Sequence, residues 1–352
     1  MPRLPLVLLA VALLAGCGAE DDVTVLRVAN SLDTESPVHH ALVRFDERLQ
    51  ELSGGTMRMD IYPSGQLGNE RATIELLQLG TLDMSKVSSG VMESFVPEMG
   101  VFSLPYLFRD RDHLWQTLGG DVGEEILASA EPYRMLGVAY YDAGFRSFYV
   151  NGRDVRTPED LDGLKIRVIQ SPLFIQTINL LGGNATPLAF SEVYGALQQG
   201  IVDGAENSPM SLYGMGHYQQ VTHYVLDEHS APPDILLIST HRWNRMSEQQ
   251  RTWFRQAAAE SVALQRELWL RDEGAALDSV RAAGVEVVEV DKTPFREAVA
   301  PIYDDLGGTP VGALAERIQA LPAAPADTTE ADATEPDATE AAVPEAEASD
   351  AP

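Results

Sequence analysis

In the stretch GLKIRVIQSP, residues 163–172, an arginine stands among apolar neighbours. Leu164, Ile166 and Val168 alternate with Lys165, Arg167 and Ile169, the period of two expected of a strand. Alternation puts Arg167 on the face opposite Ile166 and Val168. Two readings follow: a solvent-facing strand arginine, or one aimed at a bound anion near the strand's carboxyl end, where open α/β sheets hold ligands. A guanidinium can meet a carboxylate with two parallel N–H donors, which fixes orientation as well as energy. A second arginine, Arg146 in FRSFYV, is flanked by Phe145 and Phe148, which could shelter it or leave it an exposed strand residue. His39 and His40 follow Pro37 at a loop-to-helix junction, as a surface pair or with His39 donating to a hydroxylated ligand. Catalytic patterns are missing: no H-E-x-x-H, no G-x-S-x-G, no P-loop glycine-lysine motif, no G-x-G-x-x-G after a strand. FRDRDHL lacks metal-ligand spacing and reads as a solvated face. Carboxylates abound, but spacing singles out no pair. No metal, no cofactor and no catalytic residue is expected, and the chain does not read as an enzyme.

The charge sharpens the question of the anion. The chain of 352 residues has a formal net charge of −28. From Pro322 the sequence is PAAPADTTEADATEPDATEAAVPEAEASDAP, with nine acids and no base. Such a segment buries too little apolar surface to offset its ordering entropy, so 322–352 is expected to be a disordered acidic tail. Residues 18–321 then carry about −20. That makes them a poor candidate for binding nucleic acid, which needs a basic surface, and no nucleic-acid partner is expected. An anionic ligand must find its attraction locally, because the long-range field is screened beyond ~8 Å. At the other end, Arg3 precedes an apolar run from Leu4 to Gly16, too short for a bilayer that needs roughly 20 residues. It fits a secretory signal. The run ends in Leu14-Ala15-Gly16-Cys17, which resembles a bacterial lipobox, with residues 1–17 as lipoprotein signal and Cys17 as the lipidated residue. An ordinary cleaved signal with an incidental cysteine is the alternative. Cys17 is the sole cysteine, so a disulfide within the chain and a thiol nucleophile elsewhere are excluded.

The elements that must position these side chains follow an α/β order. TVLRVANSL (24–32) reads as a strand, Pro37 to about Leu52 as a helix stopped at Ser53-Gly54-Gly55, and TMRMDIYPS as a second strand. NERATIELLQLGTLDMSKVS gives a helix, a Gly80 stop and a third strand. This order predicts a largely parallel sheet. After Tyr141 a similar unit follows: FRSFYV, a helix start at Thr157-Pro158-Glu159-Asp160, the Arg167 strand, the helix of SPLFIQTINLLGGN, a short helix in SEVYGALQQG, and IVDGAENSP running from strand to turn. Ser247 and Gln250 then open a proline-free helical pattern to about Ala283, with a possible break at Gly274. If continuous it spans roughly 54 Å, more than one small domain. The reading is an α/β chain of two units, with a long helix touching both and a ligand cleft between them.

TPLAFSEVYGALQQGIVDGAENSP (186–209) closely resembles the solute receptors of tripartite ATP-independent periplasmic (TRAP) transporters. YPSGQLGNERATIELLQLGTLDM (62–84), SLPYLFRDRDH (103–113) and DLDGLKIRV (160–168) repeat the resemblance in the family's order. It implies a periplasmic receptor that closes over an organic acid and delivers it to small and large integral-membrane subunits driven by an ion gradient. It implies an α/β, two-lobed, type II-like periplasmic-binding-protein fold with a long helix spanning both lobes, domain I from 24–143 plus 232–271 and domain II from 144–231 plus 272–312. By resemblance Arg167 is the chief carboxylate ligand, Arg146 the second, and Asn207 completes the cluster, although Asn207 could instead be a turn residue after Asp203-Gly204. Phe190 would pack on the ligand, or be plain core. First-lobe contacts correspond to Asn30, Asn69 with Glu70 beside it, and Ser88. Glu70 and Glu206 otherwise cap helices or pair with a base. Sialic-acid receptors of the family carry an acidic residue where Asn69 and Ser88 stand, which argues against sialic acid. IQSPLF and ENSPMSLYGMGHY look more like the branch that binds uronates and aldonates. The implied function is a lipid-anchored receptor for a sugar acid. An exported lyase or hydrolase of acidic sugars, or a sensor for a membrane signalling protein, are the alternatives.

Overall fold

A computed structural model describes residues 23–323. The leader with Cys17, and the acidic tail from residue 324, lie outside the described residues together with the expectations placed on them.

Eleven described strands form two sheets. The strands are β1 (Thr24–Ala29), β2 (Met57–Tyr62), β3 (Met84–Ser88), β4 (Met135–Tyr141), β5 (Arg146–Val150), β6 (Lys165–Val168), β7 (Asn184–Pro187), β8 (Gly204–Asn207), β9 (His223–Ser230), β10 (Asp234–Ser239) and β11 (Glu286–Glu289). The first sheet runs β2-β1-β3-β10-β4 and the second β11-β9-β5-β8-β6-β7. β1 pairs in parallel with β2 and β3, as the β-α-β order requires, but β10 inserts antiparallel between β3 and β4. In the second sheet β6 is parallel to β7 and β8, while β5 is antiparallel to β8 and β9. Both sheets are therefore mixed, not largely parallel. The cause is nonlocal. The chain leaves the first sheet through β4, builds most of the second, and returns through β9 to β10, so the crossing strands enter against the local parallel direction.

Local chemistry accounts for the elements that carry the site. Ser36 caps the helix Pro37–Ser53 by accepting from the His39 amide, and Gly54 ends it at φ 61°. Asn69 caps Glu70–Leu79, and its Oδ1 accepts from the Ala72 amide at 3.0 Å. Ser171 caps Pro172–Leu180 with Pro172 at the first helical position, where its missing N–H costs nothing.

The helix Glu248–Ala282 runs unbroken for 35 residues from a Ser247–Gln250 capping box, and Gly274 does not interrupt it. At 1.5 Å per residue it spans about 52 Å. Phe254 meets Phe45 at 5.0 Å between ring centroids, in the core under the first sheet. Gln265 holds the crossing strand: its Oε1 accepts from the Asp142 amide and its Nε2 donates to the Asp142 carbonyl. Val280 belongs to the apolar cluster of Tyr149, Leu212 and Tyr224 beside the second sheet. One helix thus packs beside both sheets.

Candidate functional site

The two lobes face a cavity of about 320 Å³. Arg146, Arg167, Phe190 and Asn207 line it from the second lobe, and Asn69, Glu70, Lys86, Ser88 and Asp234 from the first.

Arg146 opens β5 two residues after Gly144, which sits at φ 73°. A Cβ there would meet Ser208 Cβ at 2.9 Å, so glycine lets the chain turn into the strand next to Ser208. Because β5 and β8 are antiparallel with Ser147 opposite Asn207, Arg146 lies beside Glu206 and Asn207. Its Nε and Nη2 donate to the Glu206 carboxylate, the latter at 2.9 Å to Oε1, and its Nη1 donates to Asn207 Oδ1 at 2.8 Å. The guanidinium also lies over the Phe174 ring, 5.6 Å from its centroid. Arg146 is therefore already charge-compensated.

Arg167 is not. It is 3% exposed, and its Nε and Nη2 both donate to the Leu188 carbonyl, at 3.0 and 2.6 Å. The parallel pairing of β6 with β7 brings Leu188 alongside. Among the described residues no carboxylate lies within 4 Å of this guanidinium. Burial pulls its pKa down to about 10, with Glu206 and Tyr149 pulling the other way. A buried cation without its own anion is costly unless a partner arrives.

The site rests on a buried ionic chain behind Arg146. Glu206 is fully buried, and His229 Nε2 stands 3.5 Å from its Oε2. His229 Nδ1 is 2.8 Å from Asp227 Oδ2, and the imidazole stacks on Phe148 at 4.6 Å. Burial opposes the charge on Glu206, but Arg146 and His229 prevail and hold its pKa near 2. Burial likewise opposes protonation of His229, but Asp227 and Glu206 push its pKa up to about 9. His217 behaves differently: burial, aided by the charge of Arg167, takes it down to about 3, and Tyr149 Oη lies 2.9 Å from its Nδ1.

These shifts carry a sign for stability. A histidine with its folded pKa raised contributes stability that is complete below about pH 6.5 and lost as pH rises through about 9. At about 1.4 kcal/mol per unit the loss is of the order of 3 kcal/mol. Glu206 works on the acid side: its contribution is present above about pH 4.5 and lost as pH falls toward 2. The melting temperature is expected to fall between pH 6.5 and 9, and His229→Gln to flatten that limb. A wild-type melting temperature level across this range would contradict a charged His229.

Of the residues singled out in the sequence, the structure brings Arg167, Arg146, Asn207, Phe190, Asn69, Ser88 and Glu70 to one cavity. Phe190 packs edge-on to His217 at 5.9 Å, and Asn69 and Ser88 also cap helices. Asn30 and His39 are not among the lining residues. Asn30 is 2% exposed, and its Oδ1 accepts from the Leu32 amide. The His39 imidazole has its pKa lowered by burial and by His40, and its Nδ1 is buried without a partner. Sequence reading missed Lys86 and Asp234. Lys86 Nζ lies 3.0 Å from Asp234 Oδ2 and 3.3 Å from Glu70 Oε1. The signal they carried was a lone charge in a strand, within MSKVS and at the head of DILLIS. Among the described residues no cluster of histidine, cysteine and acidic side chains could hold a metal, and no helix is long and apolar enough to cross a membrane.

Comparison with known proteins agrees with this geometry. The sequence model of the DctP family, described as bacterial extracellular solute-binding protein, family 7, matches residues 28–307. The chain is 41% identical over 299 residues to a Salmonella typhimurium protein named YiiZ, covering 84% of this chain and 91% of that one. It is similar to the TRAP periplasmic solute-binding protein of Bradyrhizobium sp. BTAi1 solved with galacturonate: 40% identity, TM-score 0.82, 84% of this chain and 99% of the other. The Roseobacter denitrificans counterpart, solved with β-D-glucuronate, gives 37% identity and TM-score 0.82 over the same shares. The chain therefore belongs to the bacterial extracellular solute-binding proteins of family 7 (DctP), the solute receptors of TRAP transporters.

Proposed function

We propose that this receptor takes a sugar acid of the hexuronate class and hands it to the small and large membrane subunits of a TRAP transporter. The observation that carries the reading is Arg167, a buried guanidinium held in one plane by the Leu188 carbonyl, beside a cavity of about 320 Å³ and without a carboxylate of its own. A ligand carboxylate supplies the missing charge, and Asn207 and Arg146 stand next to it. The hexuronates bound by the Bradyrhizobium and Roseobacter proteins support the choice of acid.

Residues 24–143 with 232–271 form one lobe in this reading, and 144–231 with 272–312 the other. Closure over the ligand expels water, which strengthens each polar contact, and presents the membrane subunits with a surface that differs between empty and loaded states. A lipid on Cys17 keeps the receptor at the membrane. No catalytic step belongs to this reading.

A thermal-shift panel of uronates, aldonates and simple carboxylates tests it. A ligand at 100 times its dissociation constant adds about 2.7 kcal/mol of stability. D-galacturonate or D-glucuronate is expected to give the largest shift. A panel in which no acid moves the melting temperature would refute the proposal.

A further inference from the structure

The cavity holds three cations, and two of them are already answered. Arg146 is taken by Glu206, and Lys86 by both Glu70 and Asp234. The Lys86, Glu70 and Asp234 side chains are only 4, 11 and 8% exposed, so solvent does little to screen them. The two ends of the cavity therefore differ in kind. At the second-lobe end Arg167 offers one uncompensated positive charge. At the first-lobe end two carboxylates share one ammonium, which leaves an excess of acceptors and of negative charge.

We propose that this polarity makes the receptor selective for monocarboxylate polyols over dicarboxylates, with Asp234 and Glu70, held in place by Lys86, accepting hydroxyl groups of the ligand. The inference rests on the sugar-acid reading and deepens it. One ligand carboxylate is matched by Arg167. A second would be placed against Glu70 and Asp234 in a poorly solvated space, where like charges repel strongly. Lys86 offers little against it, because its single positive charge is already shared by two carboxylates. Hydroxyl groups suit the same atoms. Asp234 Oδ1 makes no hydrogen bond among the described residues, and Glu70 Oε2 accepts only a 3.3 Å contact from the Ser88 amide. A donor arriving there completes acceptors that ligand closure would otherwise strand, the situation in which polar sites discriminate most. Burial raises the Asp234 pKa and Lys86 opposes it. A protonated Asp234 would still carry no positive charge for a second carboxylate.

The test is calorimetric titration of the full chain with D-galacturonate, D-glucuronate, D-galactonate and galactarate. Galactonate and galactarate share a carbon skeleton and differ in one terminal group, CH₂OH against a carboxylate. The tightest monocarboxylate is expected to bind at least a hundredfold more tightly than galactarate. Asp234→Asn removes one negative charge at nearly constant shape and is expected to narrow that gap at least tenfold, chiefly through tighter galactarate binding. Glu70→Gln provides the same comparison if Asp234→Asn does not fold. Galactarate within tenfold of the best monocarboxylate, or a gap unchanged in the folded variant, overturns the inference and leaves the sugar-acid reading standing. Failure of all three monocarboxylates to bind the wild type overturns both.

Discussion

Arg167→Lys is expected to weaken binding of the preferred sugar acid at least tenfold, and Arg167→Ala at least a hundredfold, in calorimetric titration. The lysine keeps the charge, so the loss isolates geometry. In the wild type Nε and Nη2 both donate to the Leu188 carbonyl, which fixes the guanidinium plane before any ligand arrives. A lysine ammonium has no planar fork: it cannot hold Leu188 and also present two parallel N–H groups to the ligand carboxylate, and its flexible stem must be ordered. Alanine removes the charge as well. Truncating one partner of a buried hydrogen-bonded charge pair costs about 2–5 kcal/mol, and about 2.7 kcal/mol corresponds to a hundredfold. The empty variants should remain folded, because the native cation has no protein carboxylate to lose. Affinities within threefold of wild type in both variants would mean that the carboxylate docks elsewhere.

That prediction turns on burial, which the sequence of β6 does not reveal. A period of two says which face Arg167 occupies but not whether that face meets water or a cavity, because polar residues suit both. What covers it comes from far away in the chain: Leu188 just past the following strand and Arg146 two strands across the sheet. The long helix was legible for the opposite reason. Its Ser247–Gln250 cap and lack of proline are local signals, and the helix runs through Gly274, where the sequence allowed a break. Helix caps at Asn69 and Ser171 are equally local. The antiparallel insertion of β10 is not, since a strand's neighbour is chosen by the path of the whole chain. Lys86 and Asp234 went unnoticed for the same reason. Each is an isolated charge in its own strand, and only the pairing of Asp234 with Ser88 brings them to 3.0 Å. The resemblance to a family supplied Arg146 and Asn207 as partners of Arg167, but not the fact that Glu206 already neutralises Arg146.

Glu206→Gln is expected to lower the stability of the empty receptor by about 3–5 kcal/mol, the cost of leaving a buried charge without its partner. Glutamine keeps the shape and can still accept from Arg146 through its amide oxygen, so the loss reports charge more than packing. Arg146 and His229 are both buried and both lean on this carboxylate. Without it the support for protonated His229 is reduced to Asp227, so the histidine should lose its proton at lower pH and the alkaline fall in melting temperature should begin earlier. Ligand should then act in the opposite sense. Arg146 lies beside Asn207 at the edge of the cavity, and in the variant its charge, like that of Arg167, awaits an anion. A bound sugar acid restores part of what the mutation removes. The stabilisation by saturating hexuronate is therefore expected to be larger in Glu206→Gln than in the wild type, even though the empty variant melts lower. Thermal melts with and without ligand measure both quantities in one experiment. An empty variant as stable as wild type would show that Arg146 does not depend on Glu206. A ligand shift no larger than wild type would show that the cavity's anion answers to Arg167 alone.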